Sequence, residues 1–542
     1  MTEQPLSRHF PAIVALLTLL LFLPALTNDF VNWDDERNFV LNPNYRGLGW
    51  TELEWMWTSH LLGRYVPITW MTLGLDYTIW GMNPFGYHLT SVLFHTVNAV
   101  LFYFVALALL RIAMRDRSKE MQARIPIGAL FAALVFAMHP LRAESVAWVT
   151  ERRDVVSGMF FLLAILAYLR GNPDVPGAPI RRKYYGACFG FFVLALLSKE
   201  ITVTLPVILL ILDVYPLRRL GEAGWLSASG GRILVEKTPF FVLSLADGVL
   251  ALYIGKLEGI TASIVHVNSF ARLAISLYGL AFYLWKTLLP FNLAPFYALT
   301  AHKVDPGALP FQLSAVMVVL VTAGALIVRR KYPAVLAAWL AYAVILIPVL
   351  GVFHNGQQVT ADRYSYLACL GWAVLGGGVL VVVQSRGVAL AAVVAICGLA
   401  YLTFRQVVVW RNSETLWTQA ISVAPSYIAY NNLGLVYAAR GDNAGAIEHY
   451  RRSIQMDGDY ELSHNNLGAS LLEFGLNDEA ISEFRAALKL KPDLANSHNG
   501  WGQALLAQGK VNEAIEHFRA AVQIDPSYDS ARTNLEHALE MK

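Results

Sequence analysis

The chain has 542 residues, of which 56% are hydrophobic and 15% charged; a soluble chain carries about 25% charged residues, so lipid is the expected solvent for much of this one. A net charge of +3 argues against a nucleic-acid partner. Cys188, Cys369 and Cys397 are scattered through apolar runs and form neither a metal-ligand spacing nor a disulfide framework.

The first apolar run covers residues 10–27. Arg8 is the only firm cation before it and no small-x-small cleavage site follows, so it reads as a retained transmembrane helix and not a signal peptide. Runs able to span, or nearly span, about 30 Å of hydrocarbon recur at 88–110, 126–138, 155–169, 184–198, 201–212, 239–255, 271–290, 312–328, 333–353, 366–384 and 388–404. The cationic segments 111–124, 181–183, 218–237 and 329–331 read as cytoplasmic. Three runs lie between Lys237 and Arg329, where two ends on one side require an even number of crossings. One of the three is therefore expected to be re-entrant or interfacial. That leaves about eleven crossings, with the N-terminus inside and residues 28–87 and everything beyond 404 outside.

The first outer loop holds "DFVNWDDERNFVLNP" (29–43), with three consecutive acids, Asp34, Asp35 and Glu36. A solvated surface loop or a helix N-cap would explain them. So would a carboxylate general base whose acidic neighbour raises its pKa or helps to hold a divalent metal, Mg or Mn. The loop is rich in Trp (Trp33, Trp50, Trp55, Trp57, Trp70, Trp80), and its segment 67–81, which contains Asp76, is expected along the interface.

A second polar cluster, "AMHPLRAESVAWVTERRDVVSG" (137–158), packs His139, Arg142, Glu144, Glu151, Arg152, Arg153 and Asp154 at an outer surface. Cations there run against the positive-inside trend. A phosphate or pyrophosphate head group would hold them, and so would an internally neutralised salt-bridge network. The spacing of His139 and Glu144 is a weak metal signal. Lys199 and Glu200 divide two apolar runs and either serve function or pair with each other. Lys286 and Arg363 are further cations near an outer face, Arg363 with Asp362 as a simple ion-pair partner. Asp247 and His95, inside apolar runs, read as satisfied core groups, and Gly376–Gly378 as helix packing, since no strand precedes them.

From about residue 410 the pattern changes. Gly434, Gly468 and Gly502 stand 34 residues apart, as do Gly441, Gly475 and Gly509, and Ala446, Ala480 and Ala514. That period, with small residues at helix contacts and a Gly turn, is the tetratricopeptide repeat. Residues 531–540 restart the pattern and stop, as a capping helix should. The organisation expected is all-α: a polytopic membrane domain (1–404), a connector with a partial repeat (405–428), and a solenoid of three repeats with its cap (429–542). The repeats supply a concave surface for peptide and no chemistry of their own.

The stretches "VNWDDERNFVLNP", "PFGYHLTSVLFHTVNAVL", "HPLRAESVAWVTERRDVVSGMFFLLA", "LLSKEITVTLPVILLILD", "YLWKTLLPFNLAPFY" and "ADRYSYLA", followed by the repeats, resemble the transmembrane and tetratricopeptide repeat-containing proteins. These are a GT-C branch of glycosyltransferases related to protein O-mannosyltransferases. The resemblance implies a membrane enzyme that moves a mannose-like sugar from a polyprenyl-phosphate donor to a Ser/Thr hydroxyl of a protein acceptor presented through the repeats. It implies catalysis on the periplasmic face of a bacterial inner membrane, or on the lumenal face of the endoplasmic reticulum. It places the base in the acidic pair of the first loop, with Asp34 leading and Asp35 as partner, although Asp35 and Glu36 also form a dyad. Arg152, Arg153, Lys286 and Arg363 become the donor-phosphate candidates. The family places an arginine directly before a proline after this loop; here the order is Arg64-Tyr65-Val66-Pro67, so that role passes to Arg64 or is absent. A ligase or polymerase using a pyrophosphate-linked lipid, and a non-catalytic scaffold, are the competing readings.

Overall fold

The computed structural model describes residues 5–172, 179–221, 224–257, 268–298, 305–351 and 358–542. It separates into two compact units, one of Met1–Leu293 with Leu299–Asn412, the other of Ala294–Ala298 with Ser413–Lys542. The protein is all-α, with only two short strands among the described residues.

In the first unit every apolar run is helical over most of its described residues; residues 352 and 353 of one run lie outside them. α1 (Phe10–Phe22) leads into the first loop, itself helical in α2 (Trp50–Thr58) and α3 (Pro67–Trp80). α4 (Pro84–Ala113), α5 (Lys119–Ala123) and α6 (Ile125–Ala137) follow, and α7 (Ala143–Ala147) turns the chain into α8 (Arg152–Gly171). α9 (Arg182–Leu196) and α10 (Leu205–Val214) are short and meet at a turn carrying Lys199 and Glu200. α11 (Ala228–Leu257), α12 (Ser269–Leu288), α13 (Leu309–Val328), α14 (Pro333–Leu346), α15 (Ser365–Ala368), α16 (Leu370–Val382) and α17 (Arg386–Val409) complete the unit. Proline stands in the first turn of α1, α3, α4, α6, α10, α13 and α14, where its missing N–H leaves no bond unmade. Gly128 of α6 and Gly377 of α16 bring two backbones together: a Cβ on Gly128 would lie 2.6 Å from the Gly377 carbonyl oxygen. The glycine triplet is helix packing.

Among the described residues seven helical stretches are long and apolar enough to cross a bilayer, or eight if α15 and α16, bent by 54°, count as one. The sequence expectation is about eleven. The difference has plain causes. α9 and α10 are short, α12 carries Arg272 and Lys286, and α14 reaches 17 residues only with its extension to Val349. The protein is a multi-pass membrane protein.

The first loop has its own hydrophobic core. Phe39, Tyr45, Met56, Trp70, Leu73 and Tyr87 are buried together with Val149 from the turn before α8. α3 is anchored by its polar residue, because Asp76 is buried and accepts from Thr90 Oγ1 at 2.7 Å and from Arg152.

The second unit holds α18 (Ser413–Val423) and three helix pairs: α19 (Tyr427–Ala439) with α20 (Asn443–Met456), α21 (Glu461–Glu473) with α22 (Asn477–Leu490), and α23 (Ala495–Ala507) with α24 (Val511–Ile524). α25 (Asp529–Glu540) closes the array. The glycine columns have two separate causes. A Cβ at Gly434, Gly468 or Gly502 would come within 2.5, 2.9 or 2.6 Å of the rings of Tyr450, Phe484 and Phe518, each sixteen residues on. Gly441, Gly475 and Gly509 instead take φ of 79°, 79° and 77°, the left-handed turn that ends the first helix of each pair.

Candidate active site

The two acids of the first loop occupy different surroundings. Asp35 is 1% exposed and held at both oxygens: one accepts from the backbone N–H of Val31 at 3.1 Å, the other from Thr150 through its N–H at 3.1 Å and its hydroxyl at 2.6 Å. Burial drives its pKa up to about 7 against those hydrogen bonds. Asp34 is half-buried, and no hydrogen bond from the described residues reaches its carboxylate. Burial raises its pKa as well, opposed by the charges of Arg153, Arg64 and Arg363. Asp35 thus ties the loop to the 149–151 turn, and Asp34, next to it, lies within electrostatic reach of three guanidinium groups and of Glu151. Glu36 is exposed. Arg64 is half-buried, follows a turn in which Leu62 takes a left-handed backbone (φ 55°), and makes no side-chain hydrogen bond to the described residues.

The 137–158 cluster is largely a buried ionic network. Glu151, fully buried, pairs with Arg153, with Lys199 at 2.8 Å and with Arg363 at 3.0 Å. Asp154 accepts from Lys199 at 2.6 Å and from Ser145 at 3.0 Å. Glu144 accepts from the Arg363 side chain and from its backbone N–H at 2.9 Å. Arg142 is 1% exposed, donates to Ser365 at 3.0 Å and lies over the rings of Phe136 and Tyr366. Arg142, Arg153, Lys199 and Arg363 therefore outnumber Glu144, Glu151 and Asp154 by one charge. Arg153, Arg363 and the acid between them, Glu151, are the members within electrostatic reach of Asp34.

Several expectations change. Lys199 pairs with Glu151 and Asp154, not with Glu200, and Arg363 pairs with Glu144 and Glu151, not with a neighbour in sequence. Arg152 is withdrawn from the phosphate candidates: it is fully buried, pairs with Asp76 and donates to the Tyr87 carbonyl and to Ser91. Lys286 donates to the carbonyls of Phe291 and Asn292 at 2.5 and 3.0 Å, which holds the chain leaving α12. His95 is satisfied by Tyr366 at 2.9 Å and the Ala137 carbonyl at 3.2 Å, whereas Asp247 leaves one buried carboxylate oxygen without a partner among the described residues. Glu200, half-buried and without a side-chain hydrogen bond to those residues, carries the charge closest in effect to Asp247 and also influences Arg153.

His139 and Glu144 do not fit a metal. His139 accepts from the Leu141 N–H at Nδ1 and donates from Nε2 to the Thr287 carbonyl, and burial holds its pKa down at about 3, with Arg142 adding to the shift. Both Glu144 oxygens are taken by Arg363. No group of three or more His, Cys, Asp or Glu side chains among the described residues is arranged to hold a cation. Sequence reasoning missed Thr150, which binds Asp35 across 115 positions. It had Glu151 in a quoted cluster but not its place at the centre of the network. No spacing rule finds either one.

Two family models match the second unit, "TPR repeat" over residues 434–475 and "Tetratricopeptide repeat" over residues 465–529. Over most of its length the chain is similar to curated proteins. It is 24% identical over 452 residues to Protein O-mannosyl-transferase Tmtc3 of Drosophila melanogaster, covering 73% of this chain and 48% of that one. It is 25% identical over 491 residues to Protein O-mannosyl-transferase TMTC4 of Homo sapiens, covering 81% of this chain and 65% of that one. A shorter stretch of 213 residues is 30% identical to Protein O-mannosyl-transferase tmtc2 of Xenopus laevis, covering 38% of this chain and 24% of that one. The chain thus spans less than two thirds of the length of each, and the resemblance to the transmembrane and tetratricopeptide repeat-containing type extends over most of it.

Proposed function

We propose that the protein is a membrane glycosyltransferase that moves a mannose-like sugar from a polyprenyl-phosphate donor to a Ser/Thr hydroxyl of a protein acceptor. The observation that carries this is Asp34: a half-buried carboxylate free of hydrogen bonds from the described residues, within electrostatic reach of Arg64, Arg153 and Arg363 and set beside the immobilised Asp35. The names of the similar proteins supply the reaction class.

Asp34 takes the proton of the acceptor hydroxyl as its oxygen bonds to the anomeric carbon. The bond from that carbon to the phosphate oxygen breaks, its electron pair leaves with polyprenyl phosphate, and the configuration inverts. The phosphate charge that develops is met by Arg64, whose donors are uncommitted, and by the excess positive charge of the Arg153–Arg363 edge, in a site where water screens little. Asp35 positions: its three hydrogen bonds fix the backbone on which Asp34 stands. The network behind them holds the arginines at low entropic cost. The repeats present the acceptor, and the first loop and the repeats face the periplasm, or the lumen in a eukaryotic cell.

The test is transfer of radiolabelled sugar from a panel of polyprenyl-phosphate sugars by purified protein in nanodiscs, with membrane extract as acceptor source. Wild type labels a protein acceptor, and Asp34→Asn, inserted and folded, loses transfer about 100-fold or more. Full activity in Asp34→Asn overturns the assignment of the base. Transfer only from a pyrophosphate-linked donor moves the protein to the ligases.

A further inference from the structure

The first unit contains a cavity of about 470 Å³, bounded by α4, α8, α10, α14 and α16. It sits away from the acids. On α4 it begins at Phe102 and ends beyond Ala113, at Met114 and Arg117; Phe102 lies about 27 Å along the helix from its first-loop end at the usual rise per residue. On α14 and α16 it runs down to Lys331, Tyr332 and Val383. It therefore extends from the middle of the bundle to the end opposite Asp34. Its walls are mostly aliphatic, with the rings of Phe102 and Phe161 and the small residues Gly371, Gly378 and Ala341 among them.

The mouth at that end is different in kind. Arg117, Arg218 and Lys331 line it, all exposed, with Tyr215 and Tyr332 between them. Tyr215 lies within electrostatic reach of both Arg218 and Arg117. The side chains of Arg117 and Arg218 make no hydrogen bond to the described residues, and the Lys331 ammonium lies over the Tyr332 ring at 5.3 Å. No acid among the described residues lines the cavity. Arg218 also holds a left-handed backbone (φ 50°), a conformation disfavoured for a side chain of its size and kept where the surroundings require it. An apolar slot ending in three cations with no ion pair among the described residues and two tyrosines at a membrane surface matches a long apolar chain joined to a phosphate.

We propose that this cavity binds an anionic diacyl phospholipid of the leaflet opposite Asp34, one acyl chain lying between α4, α14 and α16 and the phosphate resting on Arg117, Arg218 and Lys331. The sugar donor in its reacting position is a different ligand, because its phosphate belongs at the other end of the same helices. The site rests on the membrane reading of the unit and not on the proposed transferase activity.

The experiment uses the full chain in nanodiscs and phospholipids that carry a photoreactive diazirine in one acyl chain, with either a phosphatidylglycerol or a phosphatidylcholine head. Labelled peptides are mapped by mass spectrometry. Phosphatidylglycerol is expected to label the cavity faces of α4, α14 and α16 about tenfold more than phosphatidylcholine. Arg218→Gln with Lys331→Gln brings the two head groups to near-equal labelling, and Ala341→Trp, which fills the slot, removes cavity labelling without changing the thermal midpoint. Equal labelling by both heads in wild type overturns the proposal, as does label spread evenly over all lipid-facing helices. Displacement of the probe by polyprenyl phosphate, but not by unlabelled phosphatidylglycerol, would assign the slot to the donor's chain and overturn it too. Each readout is independent of whether any sugar is transferred.

Discussion

The membrane unit and the repeat unit handle charge in opposite ways. In the membrane unit Glu151, Arg153, Lys199 and Arg363 are each no more than 7% exposed and are paired inside the protein, Glu151 with all three cations. In the repeat unit the ion pairs sit in water: Arg451 and Glu479 meet at 3.4 Å with side chains 57% and 55% exposed. The contrast follows from the solvent. Lipid offers nothing to an ion, so a charge kept there must find its partner in the chain; water offers so much that a surface pair adds little. Stability therefore depends on electrostatics in one unit and on shape in the other, where rings fill the spaces left by glycines.

That comparison can be broken at several points. The largest effect is expected from Glu151→Ala, which leaves Arg153, Lys199 and Arg363 buried without their shared acid and should cost about 3–5 kcal/mol, read as a fall in the thermal midpoint of the nanodisc-embedded protein. A loss as small as that of a surface pair would mean that water reaches the network. Gly468→Leu forces a side chain into the Phe484 ring and should cost about 1–3 kcal/mol, measured by denaturant unfolding of the repeat unit's signal with transfer activity of the rest followed alongside. Gly475→Ala puts a Cβ on a left-handed turn and should cost about 1 kcal/mol. Arg451→Ala should cost less than about 1 kcal/mol.

The remaining prediction sharpens the comparison at the proposed base. Asp34 has its pKa raised by burial, so transfer should increase with pH as the carboxylate ionises through that raised value. Arg64 lowers it; Arg64→Gln therefore moves the acidic limb of the pH–rate profile to higher pH, and an unmoved limb would separate Arg64 from Asp34. Asp35 has the opposite relation to stability. Its folded-state pKa of about 7 exceeds the ordinary carboxylate value, so the folded protein binds the extra proton and its contribution is complete at low pH and lost as pH rises through about 7.

Legibility in the sequence also differed between the units. The solenoid was readable because its contacts are local and periodic: Gly434 meets Tyr450 within one repeat, and the next repeat copies the pair. The acids of the first loop were visible as a triplet, and the arginine-rich cluster as a polar block within apolar runs. Their division of labour was not visible. Nothing in "NWDDER" tells that Asp35 is bonded and Asp34 is not, since two of the three bonds come from Thr150. Arg152 and Arg153 are neighbours in sequence, yet one turns to Asp76 and the other to Glu151.

By itself, the sequence determined the medium, the helical class, the repeat and its period, and which polar residues are kept at the edges of the apolar runs, because hydropathy and periodicity are properties of short windows. Only the tertiary structure decided which acid is immobilised and which is uncommitted, that Lys199 answers to Glu151 and Asp154, and that Arg117, Arg218 and Lys331 share one cavity mouth. A side chain's charge state and availability depend on which groups the packed helices bring within a few ångströms, and those groups come from far along the chain.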